Sequence, residues 1–279
     1  MNELRTLLVC IGRLENPYIR EFVEYYKNAV GFTNICLCDN NRGDEENFHD
    51  AIGDYIDDGY VIIEDYRGIL IPCQNWAYSV CFYKYRDSYD WMAFFDIDEF
   101  LCLNGVKINE LLMDEKYNDF DCILTNWLCV GDCEQLYYQS EPVTKRFNKP
   151  LPIETSTIIK GAPDNSHVKP IVRCTAKNFS FKFTIHVPTL SGNYCLLNGA
   201  KCKALPLQPI DYSSGFILHY TTKSTEEFAN KVNRGFCDTN TRKKENIILN
   251  YFERNTVTKE KIDIFIERTG IDVSYLLNQ

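Results

Sequence analysis

The segment WMAFFDIDEFLCL (Trp91–Leu103) begins with five apolar residues, then carries Asp96, Asp98 and Glu99, and turns apolar again. The segment reads as the fourth strand of a buried sheet, apolar until its end, because a strand covered on both faces need not alternate. In an extended chain residues i and i+2 share a face, so Asp96 and Asp98 are expected to project together from the strand end. Two carboxylates so placed repel each other unless a cation joins them, and hard oxygen donors suit Mn²⁺ or Mg²⁺. The plainer alternative is a solvated turn with ordinary capping carboxylates. Divalent ions held by one or two carboxylates complete their coordination on phosphate oxygens, which points to a phosphorylated small molecule as ligand.

The sequence before this segment alternates two periodicities. RTLLVCIG (5–12) is a short apolar run ending in Gly, and NPYIREFVEYYKNAVGF (16–32) repeats Tyr18, Phe22, Tyr25, Tyr26 and Val30 at helical spacing. Asn16 is expected as its N-cap, Pro17 as the first helical residue and Gly31 as the stop. NICLCDN (34–40) and VIIEDY (61–66) read as strands, FHDAIGDYIDDG (48–59) as a short helix, and IPCQNWAYSVCFYKYRD (71–87) as a helix opened by Pro72. Strand–helix units of about 30 residues imply right-handed crossovers and an α/β fold with a mostly parallel sheet, whose ligands bind outside the carboxyl ends of the strands. Three polar clusters fall at those ends: Arg13 with Glu15, Asp39 with Asn40, and Asp96, Asp98 and Glu99.

VKINELLMD (106–114) reads as a helix, after which DCILTNWLCV (121–130) is expected as a fifth strand and GDCEQ (131–135) as the loop that follows. Residues 139–207 are rich in proline and in short β-type pieces such as KPIVR (169–173). Helical spacing returns in STEEFANKVNRG (224–235), with Ser224 as N-cap, and in KKENIILNYFERN (243–255) and TKEKIDIFIERTG (258–270). No repeat or linker marks off a second domain, so 1–279 is expected to form one domain, with a nucleotide-binding half at 1–103, a β-rich acceptor half at 104–220 and C-terminal helices at 221–279.

With 30 Lys+Arg against 39 Asp+Glu the net charge is −9, which argues against nucleic acid as partner, since phosphate-backbone binding rests on a basic face. No apolar run approaches the length of a membrane span and no signal peptide is evident, so a cytoplasmic chain is expected. The 13 cysteines are odd in number and sit mostly in apolar runs, as reduced core thiols do; Cys36 with Cys38, and Cys129 with Cys133, are too isolated for a four-ligand zinc site. His219 is a candidate third metal ligand, in competition with His186, His167 and His49.

Taken in order, CIGRLENPYIREFVEYYKNAVGFTNICLCDNN (10–41), GILIPCQNWAYSVCF (68–82), WMAFFDIDEFL (91–101), KPIVR (169–173), HVP (186–188) and LHYTTKSTEEFANKVNRG (218–235) resemble glycosyltransferase family 92 and its bacterial relatives, themselves similar to family 2 in having a GT-A fold. The resemblance implies a Rossmann-like central sheet flanked by helices, a UDP-sugar donor with galactose first, and a part in surface polysaccharide or glycolipid synthesis. It implies that Glu15 contacts the nucleoside and Asp39 the uracil or ribose. Asp96 and Asp98 correspond to the DxD pair, the second bound directly to Mn²⁺, and His219 to a late metal ligand. Arg13 stands where the family usually has Lys.

A departing nucleoside diphosphate gathers negative charge, and Lys169, Arg173, Lys223, Lys231 and Arg234 are candidate donors to it. Solvated surface charge is the alternative for each. Gln74 and Asn75 are expected to reach the donor sugar or nucleotide, with capping the alternative for Asn75. If the reaction inverts at C1, a carboxylate must take the acceptor proton, and Asp132 and Glu134 lie in the loop where inverting GT-A enzymes place that base. Trp127 is the expected platform for the acceptor, an oligosaccharide or a lipid-linked glycan, unless it is core. The amphipathic C-terminal segments are expected either to touch a membrane peripherally or to pack on the domain. Two other classes remain: a metal-dependent phosphohydrolase, disfavoured because its DxD belongs on the first strand, and a non-catalytic nucleotide- or glycan-binding module.

Overall fold

The structure, a computed structural model, describes residues 4–69, 73–151, 158–159, 162–182, 184–235 and 241–278. Strand β1 (Thr6–Gly12) is buried almost throughout, and β2 (Asn34–Asp39) and β3 (Val61–Asp65) pair beside it in parallel register. Between them lie helices α1 (Asn16–Tyr25) and α2 (Phe48–Asp57), which bury Ile19, Phe22, Val23, Phe48 and Ile52. Glu15, not Asn16, occupies the N-cap of α1: its carbonyl accepts the Ile19 N–H at 2.9 Å, and the Asn16 N–H is taken by the Glu46 carboxylate. A π-turn over Tyr26–Val30 extends α1, and Gly31 at φ 86° ends it in the left-handed conformation that glycine tolerates. Helix α3 (Gln74–Tyr85) leads to β4 (Trp91–Phe94), which is parallel to β1. The expectation that Pro72 opens this helix lies outside the described residues.

The segment 91–103 is two strands rather than one. β4 stops at Phe94 and β5 (Glu99–Cys102) begins after a turn, because the Glu99 carboxylate accepts the Asp96 N–H at 2.9 Å and the Glu99 N–H returns to the Asp96 carbonyl at 3.0 Å. Beyond it come α4 (Ile108–Leu112), β6 (Cys122–Cys129), α5 (Val143–Arg146), and the short strands β7 (Ile158–Ile159) and β8 (Ala162–Pro163). β9 (Val168–Arg173) follows, then β10 (Lys177–Ser180), β11 (Thr189–Ser191), β12 (Tyr194–Leu196), β13 (Lys201–Cys202) and β14 (Phe216–His219). The main sheet runs β13-β12-β6-β9-β4-β1-β2-β3, with β14 paired to β5 and β6. The strand expected over 121–130 is β6, and β9 separates it from β4, inserting antiparallel to both. Its Val168–Val172 run is wholly buried, so it needs neighbours on both sides.

Helices α6 (Thr225–Arg234), α7 (Thr241–Arg254) and α8 (Lys259–Thr269) close the chain. Ser224 caps α6 in a reciprocal capping box with Glu227, as the spacing predicts. Contacts group the chain into two compact units, one of Met1–Trp127 with Asn165–Leu218, the other of Leu128–Asp164 with His219–Gln279. The first is built on the sheet. Phe228, Ile248, Tyr251, Phe252, Ile262 and Phe265 form the core of the second, so the apolar faces of α6, α7 and α8 are used inside that unit.

Candidate active site

The turn between β4 and β5 presents Asp96, Ile97 and Asp98 at the carboxyl end of a central strand. Lys169 comes from the inserted strand β9 and donates to Asp96 Oδ2 at 2.7 Å, while its Nζ lies 3.4 Å from Glu99 Oε1. Gln74, the first residue of α3, donates to Asp96 Oδ1 at 2.6 Å, and the Tyr78 hydroxyl, one helical turn on, lies 3.3 Å from the same oxygen. Lys169 and Glu99 are fully buried, whereas the Asp96 side chain keeps 27% of its surface and Asp98 is half-buried. Burial pulls the Lys169 ammonium down, but Asp96 and Glu99 outweigh it and leave its pKa raised. Burial drives the Glu99 carboxyl well above the usual carboxylate range, against the attraction of Lys169.

The loops after the first three parallel strands are tied into one frame. Arg13 forms an ion pair with Glu45, which holds that carboxyl down to about 2. Asp39 is buried, accepts from the N–H and side-chain amide of Asn41, and meets Arg67 at 2.8 Å. Arg67 also donates to the carbonyls of Glu46 and Arg42. Leu14 has φ 57°, a conformation uncommon without glycine, and its N–H donates to Asn41 Oδ1 at 2.8 Å. Glu15 is buried at the start of α1. At the end of β1, a Cβ on Gly12 would lie 2.5 Å from Ile97 Cδ1 and 2.9 Å from Phe48 Cζ, so any larger residue there must shift the side chain of Ile97, which lies within the acidic turn.

Asn75 is half-buried inside the first turn of α3; the N-cap there is Cys73, so Asn75 does not cap. Trp127 N–H donates to the His167 carbonyl at 3.0 Å, and its ring stacks on His167 with centroids 5.0 Å apart and meets His186 edge-on at 5.0 Å. Thr125 and Lys169 are register partners, so along β6 and β9 this aromatic group stands two residues past the lysine that grips Asp96. Arg173 is at the far end of β9, over the ring of Trp91 and bonded to the carbonyls of Phe120 and Tyr117; it is a strand-end anchor.

In the second unit, Asp132 is 3% exposed and its carboxylate accepts from Lys261 Nζ at 2.5 Å, the Tyr251 hydroxyl at 3.0 Å and the Glu134 N–H at 2.9 Å. Asn255 Oδ1 takes the Asp132 N–H at 2.8 Å. Cys133 and Glu134 then occupy successive left-handed conformations, φ 48° and 62°, and Glu134 is exposed. His219 is buried at the end of β14, with its carbonyl accepting the Val130 N–H. Lys223 is also buried and left-handed, at φ 55°. Lys231 and Arg234 are half-buried on α6, and Lys231 Nζ donates to the Thr221 carbonyl at 3.1 Å.

The structure thus joins three of the expected residues, Asp96, Gln74 and Lys169, into one hydrogen-bonded group. It gives Arg13 and Asp39 ion-pair partners, Glu45 and Arg67, that sequence reasoning missed. Arg67 had a signal, since it follows the end of the third parallel strand; Tyr78 had one too, four residues after Gln74 on the same helix face. Nothing local marks Lys261 as the partner of Asp132, 129 positions away.

An α/β sheet whose acidic turn, lysine and tied loops converge at the carboxyl ends of its parallel strands defines the class of protein that holds a ligand at such an edge. A profile of the family described as Glycosyltransferase family 92 matches residues 5–257, and the chain belongs to that family. No curated protein matches. Among solved structures, S. aureus TarS is 11% identical with a TM-score of 0.44 over 95% of this chain and 49% of that one, so this chain spans about half its length. A structure of residues 1–349 of S. aureus TarS is also 11% identical, with a TM-score of 0.42 over 95% and 81%. HddC from Yersinia pseudotuberculosis is 11% identical, with a TM-score of 0.36 over 69% and 89%. No helix among the described residues is long and apolar enough to cross a membrane.

Proposed function

We propose that this chain is a Mn²⁺-dependent glycosyltransferase that moves a hexose, galactose first, from a UDP-sugar to a hydroxyl of an oligosaccharide or lipid-linked glycan, with inversion, in cytoplasmic assembly of a surface polysaccharide or glycolipid. Family membership supports the reaction class, and one observation carries the site. Asp98 is half-buried in the turn after β4, beside an Asp96 whose charge Lys169 already offsets. The donor set suits a divalent ion, because hard carboxylate oxygens are what Mn²⁺ and Mg²⁺ take. Asp98 and Asp96 would hold it, and bound there it would supply charge stabilisation for the leaving diphosphate.

The chain's own residues do the rest. Gln74, Tyr78 and Lys169 fix Asp96, so no reorganisation is needed when charge develops on the diphosphate. The tied loops at Glu15 and Asp39 receive the nucleoside, and Lys223, Lys231 and Arg234 are the cationic candidates for the phosphates. Glu134, exposed and held in a strained turn, takes the proton of the acceptor hydroxyl as that oxygen bonds to C1 and the bond from C1 to the phosphate oxygen breaks. Asp132 instead spends its carboxylate on Lys261 and Tyr251. Trp127 is the acceptor platform. A membrane-bound acceptor would be met by some surface other than the apolar sides of α7 and α8, which the core of their unit consumes.

Calorimetric titration with UDP-, GDP- and CMP-sugars, in Mn²⁺ and then in EDTA, tests the reading. Metal-dependent binding of one UDP-sugar, lost in Asp98→Ala, is expected. Glu134→Gln should keep that affinity and lose turnover by about 100-fold, the usual contribution of a general base. Phosphate release without acceptor would favour a phosphohydrolase, and absence of nucleotide binding in either condition would overturn the proposal.

A further inference from the structure

Cys36 and Cys38 lie two apart on β2 and so share a face of the sheet. Helix α3 covers that face with Ala77, Tyr78, Cys81 and Phe82, and all of these belong to one buried cluster. Cys81 meets the pair closely: its Sγ is 3.8 Å from Cys36 Sγ and 3.5 Å from Cys38 Sγ. All three ligand atoms lie within 4.8 Å of one another, and none of the three residues is exposed. Three sulfurs bound to one ion at about 2.3 Å stand about 4 Å apart, so the free thiols are already spaced for coordination.

The thiols of Cys36 and Cys38 hold the Cys81 sulfur down to about 5, Lys84 adds to that, and the two donors themselves are raised. Lys84 is in turn paired with Glu64, which also accepts from the Tyr85 hydroxyl.

We propose that Cys36, Cys38 and Cys81 form a binding site for a soft, thiophilic metal ion in three-coordinate sulfur geometry, with copper(I) as the ion that fits. Sulfur ligands select soft ions. Among the described residues the group offers three donors, whereas structural zinc takes four. A monovalent ion needs only one ligand bound as thiolate for the cluster to be neutral, which matters where an unpaired charge is costly to bury. Each further thiol that binds as thiolate releases one proton to water. The ion would pin β2 to α3, the helix whose first residue grips Asp96. This site is separate from the proposed sugar-nucleotide chemistry and stands whether or not that reading does.

The test is anaerobic titration of the reduced chain with copper(I) against a coloured copper(I) chelator, following near-ultraviolet sulfur-to-copper absorption and the melting temperature. One equivalent bound, with a raised melting temperature, is expected for the wild-type chain and for Cys202→Ser, whose thiol lies outside the cluster. Cys81→Ser should bind none. Cys81→Ala, apolar and close in volume, is the second variant should the serine fail to fold, and it too should bind none. No bound equivalent in the wild type, or an equivalent retained in the folded Cys81 variants, overturns the site.

Discussion

Each unit buries a lysine against an aspartate, and the two pairs are built for opposite ends. Lys169 and Asp96 meet at 2.7 Å with the carboxylate 27% exposed, in a turn that also offers Asp98. Lys261 and Asp132 meet at 2.5 Å with both side chains nearly sealed, and Tyr251 completes the enclosure. A buried pair adds little net stability, yet removing one partner strands a charge. The open pair therefore presents a charge with its geometry fixed, available to a ligand. The closed pair fastens the 131–135 loop, in which Cys133 and Glu134 are held at positive φ. Burial of the lysine is common to both; what separates them is whether the carboxylate still reaches water.

Four measurements would break or sharpen this contrast. Lys261→Met should give the largest loss, about 3–5 kcal/mol in urea unfolding, since Asp132 is left charged and enclosed. Asp98→Asn should lower turnover by about 100- to 1000-fold, in the range of a lost electrostatic stabiliser, and shift stability by no more than about 0.5 kcal/mol. A large loss of stability would place Asp98 with the closed pair. Lys169→Met comes next, at about 2 kcal/mol, because Asp96 reaches solvent and Glu99, pushed up by burial, takes a proton readily. If it costs as much as Lys261→Met, the contrast fails.

The smallest effect is one of pH. Arg13 depresses Glu45 from 4.5 to about 2. A carboxylate depressed on folding contributes stability above its unfolded pKa and loses it as pH falls through the folded one. Stability should decline between pH 4.5 and 2, and Glu45→Gln should flatten that part of the profile while leaving the neutral region with the modest change expected of a partly exposed pair.

The sheet's first half was legible because apolar runs, Gly stops and helical spacing act locally: β1, α1, β2, α2 and β3 all stand where the periodicity puts them. The acidic triplet was legible as a strand-end feature but not as a turn, since the bend depends on Glu99 bonding back to Asp96. The insertion of β9 was not legible. Its residues read as a short β-type piece, and nothing in them names β4 and β6 as neighbours, 78–82 and 42–50 residues away by sequence. For the same reason Lys169 was recognised as a cation but not as the partner of Asp96. The cysteine cluster escaped because two of its members are on a strand and the third is on a helix, a meeting only the βαβ crossover creates.

The inserted strand also orders the birth of the molecule. On the ribosome, β1 to β4 emerge first and can pair at once, but β4 then shows an open edge until residues 168–173 have been made. An unpaired edge of Trp, Met, Ala and Phe invites misassociation, and long-range pairing is slow to form. The strand that completes the sheet is also the one that brings Lys169, so the acidic turn gains its counter-charge in the same event that seals the edge. Pulse-labelling hydrogen exchange during refolding should find the amides of β4 facing β9 protected no sooner than those of β9, and after those of β1 and β2.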